Sequence, residues 1–315
     1  MNCRICNSQK ITLIEEVQFY DDYKTSVYDC MNCGSRFSES RPDLFEQLHA
    51  SSMHYYVKRM EDWTEKAKYH FDRRNVANLF RATKDFHFAM PHIIKTIESS
   101  RSKSVLEVGC AWGYNGAFFI LKKYSYLGVD ISQTAIEYAR RFFGDYFLTV
   151  FDSRFKDHEL FDSIFHLGTI GCVEKPIEFT YQLLGKLRPG GVLIFNAPTR
   201  KQCDQLGTTW INGACPPDLV TLFDDQIWSK EFSNMAQVRI KSHWISSIDS
   251  FRIKLNSKEK SQIARGKILE PRIIKKSLNQ GLLRPYFRRI KKSFKVPFVE
   301  PIANPFGVIV TMVKK

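Results

Sequence analysis

The chain has 315 residues, 43% of them hydrophobic, and a formal net charge of +14. This length suits one large domain or two ordinary ones, and the composition is globular rather than disordered or fibrous. No stretch approaches the ~20 apolar residues of a membrane-spanning helix, and the first residues carry no apolar signal-peptide core. These features predict a cytoplasmic protein, in which free thiols persist and disulfides are rare.

Four of the eight cysteines form two Cys-x2-Cys pairs near the N-terminus: Cys3, Cys6, Cys30 and Cys33. Two such turns place four thiolates around one ion in a tetrahedral shell. Asn7 and Gly34 follow the two pairs and tolerate the positive φ that such turns often need. The alternation over 11–28 predicts a strand pair between the turns. We therefore predict a zinc ribbon over residues 1–40 with a structural metal; the alternative is a redox dithiol or four unrelated thiols.

From residue 103 onward, strand and helix patterns alternate. Strands are predicted near 104–109, 126–130, 146–151, 161–167, 191–197, 237–245 and 306–314, and helices near 113–123, 132–143, 174–187 and 219–235. This alternation predicts a mostly parallel sheet with helices on both faces, an α/β fold. The core is assigned to 101–250 and 305–315, a helical cap or linker to 41–100, and a basic insertion to 251–304.

Two landmarks in the core point to a nucleoside. The apolar run that begins at Val105 ends in a small-residue turn, Gly109–Gly113, and the next apolar run ends at Asp130. A strand, a glycine turn, a helix and a second strand with a terminal carboxylate form a nucleoside-binding unit. The turn lacks two glycines of a dinucleotide fingerprint, since Ala111 and Tyr114 stand at those positions, and it lacks the lysine of a P-loop.

The segment Glu107–Gly113 resembles motif I of class I S-adenosylmethionine-dependent methyltransferases, and Asp130 stands where that family has its ribose-binding acid. Phe161–Ile164 resembles the family's fourth strand and Leu187–Leu193 the entry to its fifth. The N-terminal cysteine region and the stretch Trp210–Phe223 are similar to members with an N-terminal zinc ribbon. Those members act mostly on sugars, cell-surface glycans and natural products.

The resemblance implies a Rossmann-like seven-stranded methyltransferase sheet with a small zinc ribbon and a basic helical insertion before the last strand. It implies that S-adenosylmethionine is held by residues around the two landmarks. These candidates are Glu107, Gly109, Cys110, Ala111, Gly113, Asp130, Ile131, Asp152, Ser153 and Leu167. Asp130 accepts hydrogen bonds from the ribose hydroxyls, Ile131 covers the adenine, and Asp152 with Ser153 meets the adenine edge. A solvated loop acid is the alternative for Asp152.

The acceptor side departs from the family. Many relatives end the fourth strand with Glu-His, whereas this chain has Gly171-Cys172. His166, within that strand, is the best candidate for a general base, and a core histidine is the equal alternative. Asp218 and His54 are weaker candidates. Tyr55 and Tyr56 are assigned either to a cap over the cofactor or to ordinary packing.

The positive charge is concentrated in the insertion. Residues 251–300 hold 15 Lys and Arg against 3 Asp and Glu, a local balance of +12. Residues 280–295 are predicted to form a basic amphipathic helix. Such a helix binds an anionic membrane or a lipid-linked substrate, grips the phosphates of a nucleic acid, or packs its apolar face on the domain. Nucleic acid is the less favoured partner.

The sequence therefore predicts a methyltransferase that acts on a sugar, glycan or related small-molecule acceptor, for instance in polysaccharide biosynthesis. An RNA methyltransferase is one alternative. A catalytically impaired scaffold, associated with a membrane or with RNA, is the other. The predicted location is cytoplasmic, with peripheral attachment to the inner membrane face as an option.

Overall fold

The computed structural model describes residues 1–19, 23–39, 55–79, 89–156, 160–211, 216–244 and 303–315. These residues form two β-sheets with helices packed around the larger one. The strands, in chain order, are β1 (Ile11–Phe19), β2 (Tyr23–Cys30), β3 (Arg36–Ser38), β4 (Ser104–Val108), β5 (Ser125–Asp130), β6 (Phe147–Thr149), β7 (Phe161–His166), β8 (Leu187–Ala197), β9 (Thr221–Leu222), β10 (Ala236–Trp244) and β11 (Ala303–Lys314).

The larger sheet has the order β10-β11-β8-β7-β4-β5-β6. Strands β4 to β8 run parallel to one another, whereas β11 is antiparallel to both β8 and β10. The strand order reverses between β4 and β7, so the chain leaves their carboxyl ends in opposite directions. A crevice at such a reversal is where open α/β sheets bind ligands. The predicted seven-stranded methyltransferase sheet is confirmed.

Helices connect the parallel strands and cover both faces of the sheet. Their bounds are Tyr55–Asp72, Val76–Leu79, Met90–Ser99, Gly116–Leu121, Gln133–Phe143, Ser153–Lys156, Pro176–Gly185, Arg200–Leu206 and Ile227–Phe232. Side chains alternate between the faces with the period of two that strands impose. Leu106 and Ile164 belong to one buried layer with Trp228, while Val105 and Phe165 belong to the other.

The ribbon strands form a second sheet of order β1-β2-β3-β9. Its β1–β2 hairpin matches the strand pair predicted over 11–28. Its fourth strand, Thr221–Leu222, comes from the methyltransferase core and pairs antiparallel with β3. The ribbon is therefore joined to the core by backbone hydrogen bonds and by a shared hydrophobic layer that includes Cys3, Cys33 and Phe37.

This pairing corrects one prediction. The helix expected over 219–235 is wrong: its first part forms β9, and only Ile227–Phe232 is helical. The apolar residues of 219–223 suit a buried helix or a buried strand equally well, and periodicity alone does not separate the two. Pairing with a strand almost 190 residues earlier decided the outcome.

The N-terminal helices cover one side of the glycine turn. Trp63, on the helix Tyr55–Asp72, meets Tyr114 edge to face with ring centroids 5.5 Å apart. Phe71 meets Phe143 in the same way at 5.3 Å. These contacts fit the predicted helical cap over 41–100 within the described residues, and the exact domain boundaries stay a prediction. His54 and the basic insertion, including 280–295, lie outside the described residues. In the described part, no helix is long and apolar enough to cross a bilayer.

Candidate cofactor and acceptor sites

The turn after β4 is shaped by three residues with positive φ. Gly109 has φ +72°, Ala111 +47° and Gly113 +77°. A Cβ at Gly109 would overlap the Thr169 hydroxyl, and one at Gly113 would come within 2.6 Å of the Phe147 ring. Glycine is therefore required at both positions by conformation and by space. The resulting bare backbone lets a ligand approach the turn closely.

Asp130 ties this turn to the neighbouring strand. Its Oδ2 accepts a hydrogen bond from Ala111 N–H at 2.9 Å, and its Oδ1 accepts one from Ser132 N–H at 3.0 Å. A carboxylate has about four acceptor positions, so each oxygen retains one for a ligand. The Ser132 hydroxyl in turn accepts from Ala135 N–H and caps the helix Gln133–Phe143. Asp130 is thus held in one orientation at the end of β5.

Glu107 lies beneath the turn and not on its open side. It is only 1% exposed, and it accepts hydrogen bonds from the Tyr126 hydroxyl at 2.5 Å and from Asn115 Nδ2 at 3.3 Å. Burial raises the pKa of Glu107 to about 8. This arrangement gives Glu107 a positioning role, in which it braces the turn through Asn115. Cys110, 1% exposed, is also buried below the turn.

The predicted adenine side is marked by exposed apolar side chains. Ile131 is 52% exposed beyond the end of β5, and Phe151 is 71% exposed beyond the end of β6. Asp152 follows Phe151, but both of its oxygens already accept from Arg154, which lowers the pKa of Asp152. Asp152 must therefore share these acceptors to bind an adenine amino group. Ser153 is exposed beside it, and Leu167 is buried after β7.

His166 has the surroundings of a core side chain. It is completely buried, its ring stacks on Phe195 with centroids 4.7 Å apart, and Phe179 meets it at 5.8 Å. Neither ring nitrogen has a hydrogen-bond partner among the described residues. Burial lowers the pKa of His166 to about 3. Such a weak and enclosed base argues against the predicted catalytic role and for the core alternative.

The end of β7 explains the missing Glu-His pair. A Cβ at Gly171 would overlap Leu219 Cδ1 and would lie 2.9 Å from Pro198 Cγ. The next residue, Cys172, donates its thiol hydrogen bond to Asp218 Oδ1 at 3.7 Å. A side chain at 171 is therefore excluded by the segment Pro216–Asp224, which brings its own carboxylate, Asp218, to this position. Tyr55 and Tyr56 begin the first described helix, and nothing further is assigned to their side chains.

Several residues that the sequence analysis missed hold these turns. Thr169 fills the space beside Gly109, and its hydroxyl donates to the Val108 carbonyl at 3.3 Å. Asn196 accepts from Gly168 N–H at 2.8 Å and fixes the turn after β7. Asn196 had a sequence signal, because it is the one polar residue in the apolar run 192–197 at the carboxyl end of β8.

The four N-terminal cysteines converge as predicted. Their sulfurs all lie within 4.8 Å of one another, with Cys3 to Cys33 at 3.7 Å and Cys6 to Cys30 at 3.5 Å. Four ligands at the usual Zn–S length of about 2.3 Å would be about 3.8 Å apart in a tetrahedron. The donor set therefore fits one zinc ion with no open coordination position.

The turns around the cysteines support this fit. Asn7 and Gly34 have φ of +56° and +75°. Ile5 N–H points to Cys3 Sγ at 3.4 Å, and the Asn32 amide points to Cys6 Sγ at 3.5 Å. Such donors orient and stabilise thiolate ligands.

Comparison with known proteins agrees with this geometry. Residues 106–193 match the family model described as a methyltransferase domain. These residues therefore form a methyltransferase domain. The matched segment contains the glycine turn, Asp130 and the strands up to β8, which are the parts that form the candidate cofactor site.

Two curated relatives match a similar share of the chain. Both are tRNA U34 carboxymethyltransferases, from Pseudoalteromonas atlantica (27% identical over 145 residues) and Pseudoalteromonas translucida (26% over 153 residues). Each match covers 44% of this chain and 43% or 44% of the relative. The methyltransferase domain thus spans less than half the length of the curated relatives it matches.

Two solved structures are similar to this chain at low sequence identity. The YcgJ protein from Bacillus subtilis is 14% identical, with a TM-score of 0.45, covering 73% of this chain and 99% of its own. The plantazolicin methyltransferase BpumL, solved with SAH and a triazolic desmethylPZN analog, is 15% identical, with a TM-score of 0.43, covering 82% of this chain and 99% of its own. Likenesses at this level carry no argument about activity or acceptor.

The cysteine geometry leads to a prediction about metal content. We expect one zinc ion per chain by elemental mass spectrometry, and we expect Cys33→Ser to lose it and to unfold at a lower temperature, because a structural metal contributes directly to folding. Cys203→Ala, which alters a buried thiol outside the cluster, should retain the metal. Full zinc content in Cys33→Ser would contradict this assignment.

The environment of His166 predicts a pH-dependent loss of stability. Unfolded chains protonate histidine below about pH 6.5, whereas folded His166 stays neutral down to about pH 3. The free energy of unfolding should therefore fall by about 1.4 kcal/mol per pH unit below 6.5, or about 2 kcal/mol by pH 5. His166→Phe should remove this component, measured by urea unfolding between pH 7.5 and 5. A pH dependence unchanged in His166→Phe would show that the assigned burial is wrong.

Proposed function

We propose that this chain transfers a methyl group from S-adenosylmethionine to a sugar, glycan or related small-molecule acceptor. The observation that carries the proposal is the turn Gly109–Gly113 clamped by Asp130, at the point where the strand order of the sheet reverses. This is a cradle of bare backbone beside a fixed carboxylate, which suits a nucleoside with an attached small chain.

Different residues of the site contact different parts of the cofactor. The open acceptor positions of Asp130 take the ribose hydroxyls, and the backbone of 109–113 faces the methionyl part. Ile131 and Phe151, both exposed, offer apolar surface for the adenine. Bound S-adenosylmethionine supplies a methyl group that its sulfonium already activates for displacement. The chain itself orients the acceptor, excludes water and, for a hydroxyl or carbon acceptor, takes up a proton.

Asp218 is the proton acceptor that the described residues favour. It is 7% exposed, and it meets Cys172 in the turn after β7, where Thr169 touches Gly109. It is therefore anchored to the turn that borders the cofactor cradle. His166, buried and stacked on Phe195 with a lowered pKa, is a weaker choice.

An RNA acceptor is the second candidate, and two observations favour it. The curated relatives are named as tRNA-modifying enzymes. Val308 pairs with Ala197 at the end of β8, and Ala303 pairs with Trp244 beyond it. The residues that flank the +12 insertion therefore lie at the same sheet edge as the candidate site. Phosphates on a small acceptor, a lipid-linked sugar or RNA would all meet this charge.

We also propose that the protein is located in the cytoplasm. The alternative location to test is the surface of an anionic membrane, bound through residues 280–295. Flotation with anionic liposomes, with and without substitution of these basic residues, decides between the two. The impaired-scaffold alternative predicts that no acceptor is methylated. It is set aside by any methyl transfer above background.

Cofactor titration tests the central claim. We expect calorimetry to show binding of S-adenosylmethionine to the zinc-loaded protein, and we expect Asp130→Asn to weaken it by about 10- to 100-fold, because hydrogen bonds to a charged group contribute about 1.5–3 kcal/mol. Asp72→Asn, an exposed acid on the first described helix, is the matched control and should bind as the wild type does. Failure of the wild type to bind sinks the proposal, and unchanged affinity in Asp130→Asn removes Asp130 from the site.

Acceptor class is decided by transfer of labelled methyl groups from S-adenosylmethionine to glycan, small-molecule and RNA fractions. We expect the label in a glycan or small-molecule fraction. Replacing Arg288, Arg289, Lys291 and Lys292 with glutamine should then change acceptor affinity more than cofactor affinity. Label in RNA, together with RNA binding that weakens steeply with salt and is lost in this variant, would establish the second candidate instead.

A further inference from the structure

The segment Pro216–Asp224 separates the zinc ribbon from the carboxyl edge of the large sheet. On its core side, Val220 N–H and Thr221 N–H both donate to the Gly171 carbonyl, at 2.9 and 3.0 Å. Phe223 N–H donates to the Pro198 carbonyl at 2.9 Å. We call this segment the acceptor wall, because it fills the space beside Gly171 and carries Asp218.

The other side of the acceptor wall is bonded to the ribbon. Thr221–Leu222 pairs with β3, and Ser38 N–H donates to the Val220 carbonyl at 3.0 Å. Asp224 N–H donates to the Ser35 hydroxyl at 3.0 Å. Each of these ribbon residues follows Cys33 within a few positions, so the wall is attached to the part of the ribbon that the metal would order.

A buried ion cluster fixes this attachment. Arg36 donates to both oxygens of Asp29, at 2.7 and 3.1 Å, and to the Thr209 carbonyl at 3.0 Å. Arg200, from the core, meets the same Asp29 at 3.2 Å and donates to the Gly34 carbonyl at 3.3 Å. Arg36 and Asp29 are 7% and 6% exposed, so this contact is shielded from solvent. Asp29 and Arg36 are partners on the ribbon strands β2 and β3, so the planar fork of Arg36 orients the Asp29 carboxylate within the ribbon. The contacts that cross to the core are those of Arg36 with Thr209 and of Arg200 with Asp29 and Gly34, and together they hold the ribbon against the core.

We propose that the ribbon is a positioning element of the acceptor half of the site, and that Arg36 and Ser35, acting through the acceptor wall, place Asp218 against Cys172. This rests on the proposed methyl transfer for its meaning, but the placement itself is independent of turnover. The cofactor cradle takes no part in it, since Asp130 and the turn it holds belong to β4 and β5.

The Cys172 thiol reports on the wall. Its contacts are the Asp218 carboxylate at 3.7 Å and the Gly168 carbonyl at 3.4 Å. Burial and the Asp218 carboxylate raise the pKa of Cys172 well above its ordinary value. Cys172 is half-buried, and a wall that moves away would expose its thiol further and return its pKa toward about 8.5. Cys110, buried below the cofactor turn, is an internal control in the same molecule.

The experiment uses the zinc-loaded full chain and iodoacetamide, with site-resolved mass spectrometry from pH 7 to 10. In Arg36→Met and Ser35→Ala we expect Cys172 alkylation at pH 8 to rise by about tenfold or more, with its midpoint shifted to lower pH. Arg36→Lys should fall between Arg36→Met and the wild type, since it keeps the charge but not the fork. Lys24→Met, an exposed site on β2, is the matched control.

Hydrogen exchange and cofactor titration complete the test. Amides of 219–224 should exchange faster in Arg36→Met and Ser35→Ala, while amides of 105–113, Cys110 alkylation and S-adenosylmethionine affinity stay within about twofold of the wild type. Ser35→Ala removes the hydrogen bond from Asp224 N–H and the contact of the hydroxyl with Cys33, so its zinc content is measured alongside, and it keeps the test valid if Arg36→Met does not fold. The proposal is overturned if Cys172 is alkylated in both variants as it is in the wild type. It is also overturned if the amides of 105–113 exchange faster to the same extent as those of 219–224. Absence of cofactor binding in the wild type would refute the proposed function and leave the thiol and exchange results to judge the positioning.

Discussion

The described structure depends on a turn whose backbone takes a left-handed conformation at three positions. Such a turn is costly, particularly at Ala111, where a side chain disfavours positive φ by about 1–2 kcal/mol. The hydrogen bond from Ala111 N–H to Asp130 offsets this cost, and Glu107 supports the turn from below through Asn115. The same carboxylate that stabilises the turn also faces the ligand cradle. Conformation and binding are therefore set by one side chain, and a change at Asp130 must alter both.

At both ends of the site, another residue fills the space that a side chain on a glycine would need. At Gly109 the room that a side chain would need belongs to Thr169, and at Gly171 it belongs to Leu219. Gly109 borders the cofactor half of the site and Gly171 borders the acceptor half. The space beside each is filled by a different segment of the chain. Thr169 comes from the turn next to Gly109, whereas Leu219 arrives with the acceptor wall. A side chain at 171, as a Glu-His pair would need, is thus excluded by Leu219 of the acceptor wall.

The range of the contacts explains what the sequence could predict. The cofactor half is closed by pairs close in the chain, such as Ala111 with Asp130, 19 residues apart. Glycines, an apolar run and a terminal acid are visible in such a window, so the sheet, the turn and the four-cysteine cluster were predictable. The acceptor half is closed by Ser35 with Asp224, 189 residues apart, and by Arg36 with Thr209, 173 apart. No local pattern encodes such pairs, so the sequence predicts a helix where β9 lies and does not predict the acceptor wall.

The way the ribbon is attached also constrains how the acceptor half can be built. Apolar contact alone is non-directional, and a small domain held only by Phe37 and its neighbours would keep several orientations open. The forked contact with Arg36 fixes the Asp29 carboxylate within the ribbon, and Arg200 binds the same carboxylate from the core side, which restricts how the ribbon can sit on the core. Because Asp29 is buried, loss of Arg36 leaves its carboxylate paired only with the more exposed Arg200. The polar cluster therefore restricts the orientation of the ribbon more than the hydrophobic layer does. The backbone of β9 transmits this restriction to Asp218.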